Sequence, residues 1–197
     1  MLNVYHGSTA IVKEPLALLG RKNLDFGQGF YVTDMRQQAI TWAARFINRE
    51  RPQWLNCYGL EIERIKQTYC CLTFEAYDRA WLDFIIGSRR GQCPWQGYDY
   101  IEGGVADDRV IIAVEQYLRG EIDADKALGM LTYHKPNNQI CLLNQQLIDE
   151  CLHFVNAEAL TWHQKVRKEA RHVEQRIIKY QNSCYRRLAV GQIADCS

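Results

Sequence analysis

Residues 27–34 read GQGFYVTD, and the order of residue types within them decides how the first part of the chain folds. Two glycines one residue apart suit a turn, and Phe30 to Thr33 have the aromatic and β-branched content of a strand. Asp34 then stands where a helix would be capped, with Gln37 three residues on, close to a capping box. Ala39, Ile40, Ala43, Phe46 and Ile47 follow as a helical stripe, so 27–47 is read as turn, strand, helix. That order excludes two phosphate-binding loops. A dinucleotide fingerprint needs a third glycine where Val32 stands, and it runs strand, turn, helix; a P-loop needs Gly-Lys-Ser/Thr, which the stretch lacks.

Upstream, NVYHG at 3–7 reads as a first strand, followed by a loop carrying Pro15 and the basic pair Arg21-Lys22. Downstream, Tyr58, Leu60 and Ile62 alternate as in a half-buried strand. Tyr77, Ala80, Trp81, Phe84 and Ile85 form a helix stripe ended by Gly87. YDYIE at 98–102 reads as a strand, and GGVADD leads into a helix with Val110, Ala113, Val114 and Tyr117 inward and Gly120 at its end. A short helix is expected over 124–131. The compact apolar run ICLL after Gln139 reads as a buried strand, and Asn144 as the cap of a helix carrying Leu147, Ile148, Cys151 and Phe154. From about 158 to 188 no Pro or Gly interrupts the chain. Trp162, Val166, Ala170, Val173, Ile177, Tyr180 and Cys184 repeat at spacings of four and three, the seam of a long helix that docks on something. Mixed strands and helices of this kind predict an α+β fold.

With 197 residues the chain suits one core with an appendage, and 47% hydrophobic with 24% charged residues is ordinary for a soluble domain. No apolar run approaches a membrane span, and the start MLNVYHGSTA lacks a signal-peptide pattern, so a cytoplasmic protein without membrane contact is expected. The eight cysteines form no CxxC pair and no cysteine–histidine cluster at zinc spacing. Reduced, mostly buried thiols are the favoured reading, with disulfides or metal the lesser one. Net charge is +1, yet eight basic and two acidic residues between Lys165 and Arg187 give +6, leaving −5 on the rest. The expected organisation is a domain over 1–157 and a basic amphipathic helix and tail over 158–197.

YHGS at 5–8, then FGQGFYVTD at 26–34, then a helix with an aromatic near its middle, resemble the NAD-binding half of ADP-ribosyltransferases of the diphtheria-toxin and poly(ADP-ribose) polymerase type. The likeness covers about forty residues. More closely, the pattern is similar to a bacterial family of small ADP-ribosyltransferase-like proteins with glutamine at the third motif. The resemblance implies a split β core with helical additions, and NAD as co-substrate. By resemblance, His6 would hydrogen-bond the adenosine ribose and Gly7 would pair its backbone with the nicotinamide carboxamide. Tyr31 would stack on nicotinamide, Trp42 would form a second aromatic wall and Ser8 would assist at the ribose. Gln139 takes the place usually held by glutamate. A neutral amide accepts a hydrogen bond from a ribose hydroxyl but offers neither a carboxylate's charge nor a general base, which puts polymer elongation and arginine modification in doubt.

Each residue alone has an ordinary role: a surface or packed His6, core Tyr31 and Trp42, a strand-edge Gln139. Only their order and spacing as a set favour an NAD site. Asp107 and Asp108 are favoured as a helix cap over a cation or acceptor site. Arg21 and Lys22 either approach a pyrophosphate or stay solvated, and Arg89-Arg90 carry the same ambiguity. The basic helix suits docking on its own domain or a protein partner better than nucleic acid. The expected function is mono-ADP-ribosyl transfer from NAD to a protein or nucleic-acid acceptor. By analogy this suits the toxin of a toxin–antitoxin or defence pair, with an antitoxin on the C-terminal helix. Two rivals remain: an NAD glycohydrolase with the same pocket, and an inactive partner-binding module.

Overall fold

The computed structural model describes residues 1–20, 24–45, 50–105, 110–131 and 137–160. Two units divide the chain at 160/161, and the first is the one described. The readings of Arg21, Lys22, Phe46, Ile47, Asp107, Asp108 and the helix seam from Trp162 onward fall outside the described residues.

The fold is mixed α+β, built on two sheets. Strand β1 (Leu2–Ser8) pairs antiparallel with β3 (Trp54–Leu60), which pairs antiparallel with β7 (Leu152–Ala159). The second sheet runs β2 (Phe30–Val32), β6 (Gln139–Leu142), β5 (Tyr100–Gly103), β4 (Cys71–Thr73), with only the β4–β5 pair parallel. An isolated bridge between Tyr5 and Thr33 joins β1 to the end of β2, with Tyr5 N–H donating to Thr33 O at 2.7 Å and Thr33 N–H to Tyr5 O at 3.0 Å.

Strand β6 is buried at all four positions because both faces of its sheet are covered. Ile140 and Leu142 join a core with Val4, Phe30, Tyr58 and the helix residues Ile65, Leu147 and Ile148. Cys141 points the other way, with Ile101, into a second core under Trp81, Ile85, Val114 and Leu131. That second core is roofed by α3 (Arg79–Arg89), α4 (Val110–Leu118) and α5 (Ala124–Leu131). Among the described residues no helix is long and apolar enough to cross a membrane.

Several local expectations change. Helix α1 (Arg36–Ala43) has Met35 at its N-cap with no side-chain cap; Asp34 instead accepts from Asn138 Nδ2 at 3.3 Å. Thr33 Oγ1 takes the Met35 N–H at 3.1 Å, so the residue before Asp34 does part of the expected work. Ile62 opens α2 (Ile62–Thr68) rather than continuing a strand. Seven residues make no stable helix alone, and the fully buried Ile65 holds this one on the core. Gly87 lies inside α3, flanked by Gln92 and Pro94, and the helix runs on to Arg89. Helix α6 (Gln145–Cys151) is shorter than its stripe: the chain turns extended at Leu152, and Phe154 lies on β7 with its ring 5.8 Å from that of Tyr58. The β3–β7 ladder satisfies the backbone there, which outweighs a four-position helical pattern. β7 also crosses the expected boundary at 157/158, so 158 and 159 are strand. Of the described cysteines, all free thiols, only Cys141 and Cys151 are buried.

Asn144 caps α6 as expected, its Oδ1 accepting from Gln146 N–H at 2.8 Å and Leu147 N–H at 3.4 Å. Asn144→Ala is expected to lower stability by about 1 kcal/mol. In urea unfolding this reads as a lower midpoint with an unchanged slope.

Candidate functional site

The two sheets are stitched at Tyr5–Thr33, and the motif residues lie around that stitch. Because Tyr5 directs its N–H and C=O at Thr33, strand alternation directs those of Gly7 to the same side, past the end of the ladder. Gly7 thus presents a donor and an acceptor with no described backbone to pair with. Its missing Cβ serves another purpose than ligand approach. A Cβ there would sit 1.9 Å from Ala39 O and 2.8 Å from Ala43 N, so Gly7 is what lets α1 lie on β1.

His6 packs its ring on Phe30 at 4.6 Å, and its Nδ1 lies 2.7 Å from Tyr31 O. A carbonyl only accepts, so Nδ1 carries the proton and Nε2 is left as an acceptor without a partner among the described residues. Burial pushes the His6 pKa below its ordinary value, and the bond to the Tyr31 carbonyl offsets this only in part. The ring is therefore neutral at neutral pH.

The glycine pair now has a mechanical reading. Gly27 closes the turn with φ +91°, its N–H donating to Leu24 O at 3.1 Å, and any Cβ would strike the Trp95 ring. Gly29 lies flat on β6, where a Cβ would come within 2.6 Å of Cys141 Sγ. Tyr31 then folds its hydroxyl back onto the turn, donating to Gly27 O at 2.8 Å and accepting from Phe26 N–H at 3.0 Å. Burial, reinforced by Cys141, drives the phenol pKa far upward, so Tyr31 is a neutral, fixed wall.

Gln139 opens β6, is 4% exposed, and sits with its Nε2 3.5 Å from Asp25 Oδ2. Asp25 Oδ1 accepts two bonds from Arg89, from Nε at 3.0 Å and Nη2 at 2.7 Å. All three residues, with His6, Tyr31 and Trp42, line a cavity of about 770 Å³. Glu14, Leu16 and Arg45 also line it. Such a volume lies within the roughly 300–1,000 Å³ range of small-molecule sites. Among the described residues no group of His, Cys, Asp and Glu is arranged to hold a metal ion.

Residues 2–154 match the family described as "Protein of unknown function (DUF3990)". The chain belongs to the DUF3990 family. No curated protein and no solved structure matches it.

Of the residues singled out by sequence, the DUF3990 fold brings His6, Tyr31, Trp42 and Gln139 to one cavity, while Arg21 falls outside the described residues. Ser8 is engaged elsewhere: its Oγ donates to Ala10 O at 2.5 Å and accepts from Asn56 Nδ2 at 3.1 Å. These bonds shape the turn after β1. Two residues escaped the sequence reading. Asn56, fully buried, donates to His6 O at 3.3 Å and Ala10 O at 3.1 Å and accepts from Val12 N–H at 2.8 Å, fixing the loop that edges the cavity. Asp25 is the other, its one sequence signal a carboxylate just before the glycine turn. Arg89, read as either a pyrophosphate contact or a solvated cation, lines the cavity and is paired with Asp25.

Two outcomes follow for the isolated protein. Gly7→Ala forces backbone against backbone and is expected to cost about 3 kcal/mol in denaturant unfolding. For His6, a folded pKa below the unfolded value means the unfolded chain binds the proton first. Its contribution is complete above the ordinary value of 6.5, is lost as pH falls, and stops changing once the native ring protonates. Thermal melts between pH 7.5 and 5 should therefore decline more steeply for the wild type than for His6→Gln, and NMR should place the His6 titration below the ordinary histidine value of 6.5.

Proposed function

We propose that this protein binds NAD in the cavity between its two sheets, cleaves the nicotinamide–ribose bond and transfers one ADP-ribose to a macromolecular acceptor. The observation that carries the reading is the convergence of His6, Tyr31 and Gln139, far apart in sequence, on one cavity. The bridged pair of sheets supports a split β core of the ADP-ribosyltransferase kind.

The groups present fit the ligand. Gly7 offers the N–H and C=O that a carboxamide pairs with, and the Tyr31 and Trp42 rings offer flat apolar walls. His6 Nε2 accepts from a ribose hydroxyl, and so does the Gln139 Oε1 left over when its Nε2 faces Asp25. In the reaction the C–N glycosidic bond breaks and nicotinamide leaves as a neutral ring with the bonding electrons. The ribose carbon gains oxocarbenium character, an acceptor lone pair forms the new bond, and the acceptor releases a proton. Gln139 holds the ribose but takes no proton, so the acceptor's own nucleophilicity or another base must serve that step. A toxin-like role with a protein antitoxin on the C-terminal segment belongs to the same proposal, by analogy with small bacterial domains of this kind.

The test is nicotinamide release from NAD by the purified chain, with and without bacterial lysate. Tyr31→Ala and Gln139→Ala are expected to lower kcat/KM about 100-fold. Tyr31→Phe, which keeps the ring, should stay within a few-fold. Label transferred from NAD to a macromolecule supports transfer; free ADP-ribose alone assigns water as acceptor. Folded protein that releases no nicotinamide in either condition overturns the enzyme reading and leaves partner binding.

A further inference from the structure

We infer that Asp25, braced by Arg89, is a positioning residue that turns Gln139 into a one-way acceptor and makes glutamine, rather than glutamate, the residue this cavity is built for. The inference rests on the NAD reading and deepens it. An amide has two chemically opposite ends, and in an unconstrained site either end faces the ligand. Here Asp25 biases the choice. Its carboxylate only accepts, and the Gln139 NH2 faces it across a long 3.5 Å contact, which leaves Oε1 as the end turned away.

Asp25 is itself fixed, with side-chain exposure of 12%, by the two Arg89 donors on its other oxygen. Arg89 reaches it because α3 continues through Gly87 instead of ending there. Three residues thus form a directional chain: guanidinium to carboxylate, carboxylate to amide nitrogen, amide oxygen outward. The chain also decides residue type. A glutamate at 139 would bring a second carboxylate to within about 3.5 Å of Asp25, where like charges disfavour double ionisation and one group holds a proton. The carboxylate stands here one side chain back, paired with Arg89, and the neutral amide stands in front of it.

The expected kinetic signature follows from where Gln139 acts. An acceptor that tightens on a ribose hydroxyl as the glycosidic bond breaks contributes chiefly in the transition state, so misorienting it lowers kcat and leaves KM nearly unchanged. The decisive experiment exchanges donor and acceptor. Nicotinamide release is measured for the wild type, Asp25→Asn, Gln139→Glu and the double variant Asp25→Asn/Gln139→Glu, with thermal melts on each. Each single change is expected to lower kcat at least about 10-fold at similar KM. The double change restores one donor facing one acceptor, and should return kcat to within about 3-fold of wild type, a strong positive coupling. Should Asp25→Asn melt below the assay temperature, the double variant, which keeps the hydrogen-bonded pair, decides alone.

A wild type that turns over while Asp25→Asn keeps full kcat overturns the positioning role. So does a double variant no better than the two single losses combined. A folded wild type that releases no nicotinamide instead overturns the NAD reading, and the inference falls with it. The two failures are therefore told apart by the wild-type measurement.

Discussion

Two backbone hydrogen bonds between Tyr5 and Thr33, at 2.7 and 3.0 Å, are the described bridge between strand β1 and strand β2, and the rest of the cavity follows from that brevity. A longer ladder would continue one sheet across all seven strands and leave no opening. A single bridge lets β1 follow β3 while β2 follows β6, so the edges separate beyond it. Separated edges carry N–H and C=O groups that want partners, and an unpaired buried backbone group costs about 1–3 kcal/mol. Half-buried Gly7 sits at that edge, with its N–H and C=O turned away from β3. The short bridge thus leaves a polar backbone edge before any side chain is considered.

Side chains then finish the cavity by suppressing charge where charge would be misplaced. Burial keeps His6 neutral and the Tyr31 phenol protonated, and both use their remaining polar atoms to lock backbone: His6 on Tyr31 O, Tyr31 on the 26–27 turn. These bonds are also mutual supports. The carbonyl that orients His6 belongs to the residue whose hydroxyl closes the glycine turn, so ring positions on two strands share one backbone segment. The Asp25–Arg89 pair brings two formal charges to the same cavity, and they meet each other at 2.7 Å. The cavity therefore presents aromatic faces, neutral acceptors and this ion pair, with Glu14 and Arg45 adding further charge to its lining.

How much of this was legible in the sequence depended on range. Strand β6 was visible because a sheet covered on both faces leaves a continuous apolar run, and α5 because its bounds coincide with the short helix read at 124–131. Local chemistry identified the Asn144 cap and the glycine turn. The pieces that stayed hidden depend on partners distant along the chain. Strand β7 has the composition of the helix end it follows and becomes extended because β3 pairs with it. Asp34 had the right neighbours for a cap, yet Asn138 claimed it from across the fold. The same holds in the cavity. Tyr31 and His6 carried a motif, whereas Asp25, Arg89 and Gln139 are separated by 64 and 114 residues from Asp25, and nothing near any of them announces the others.

Gln139 stands at the position where the resemblance drawn from the sequence would place a glutamate. Read alone, Gln139 suggests a site that has lost its charge. Read with Asp25, it has a reason to be neutral, because the carboxylate behind it already occupies the space that a second carboxylate's charge would need. Asp25 is in turn held by Arg89 from α3, so the amide, the carboxylate and the guanidinium form one connected set whose members constrain one another.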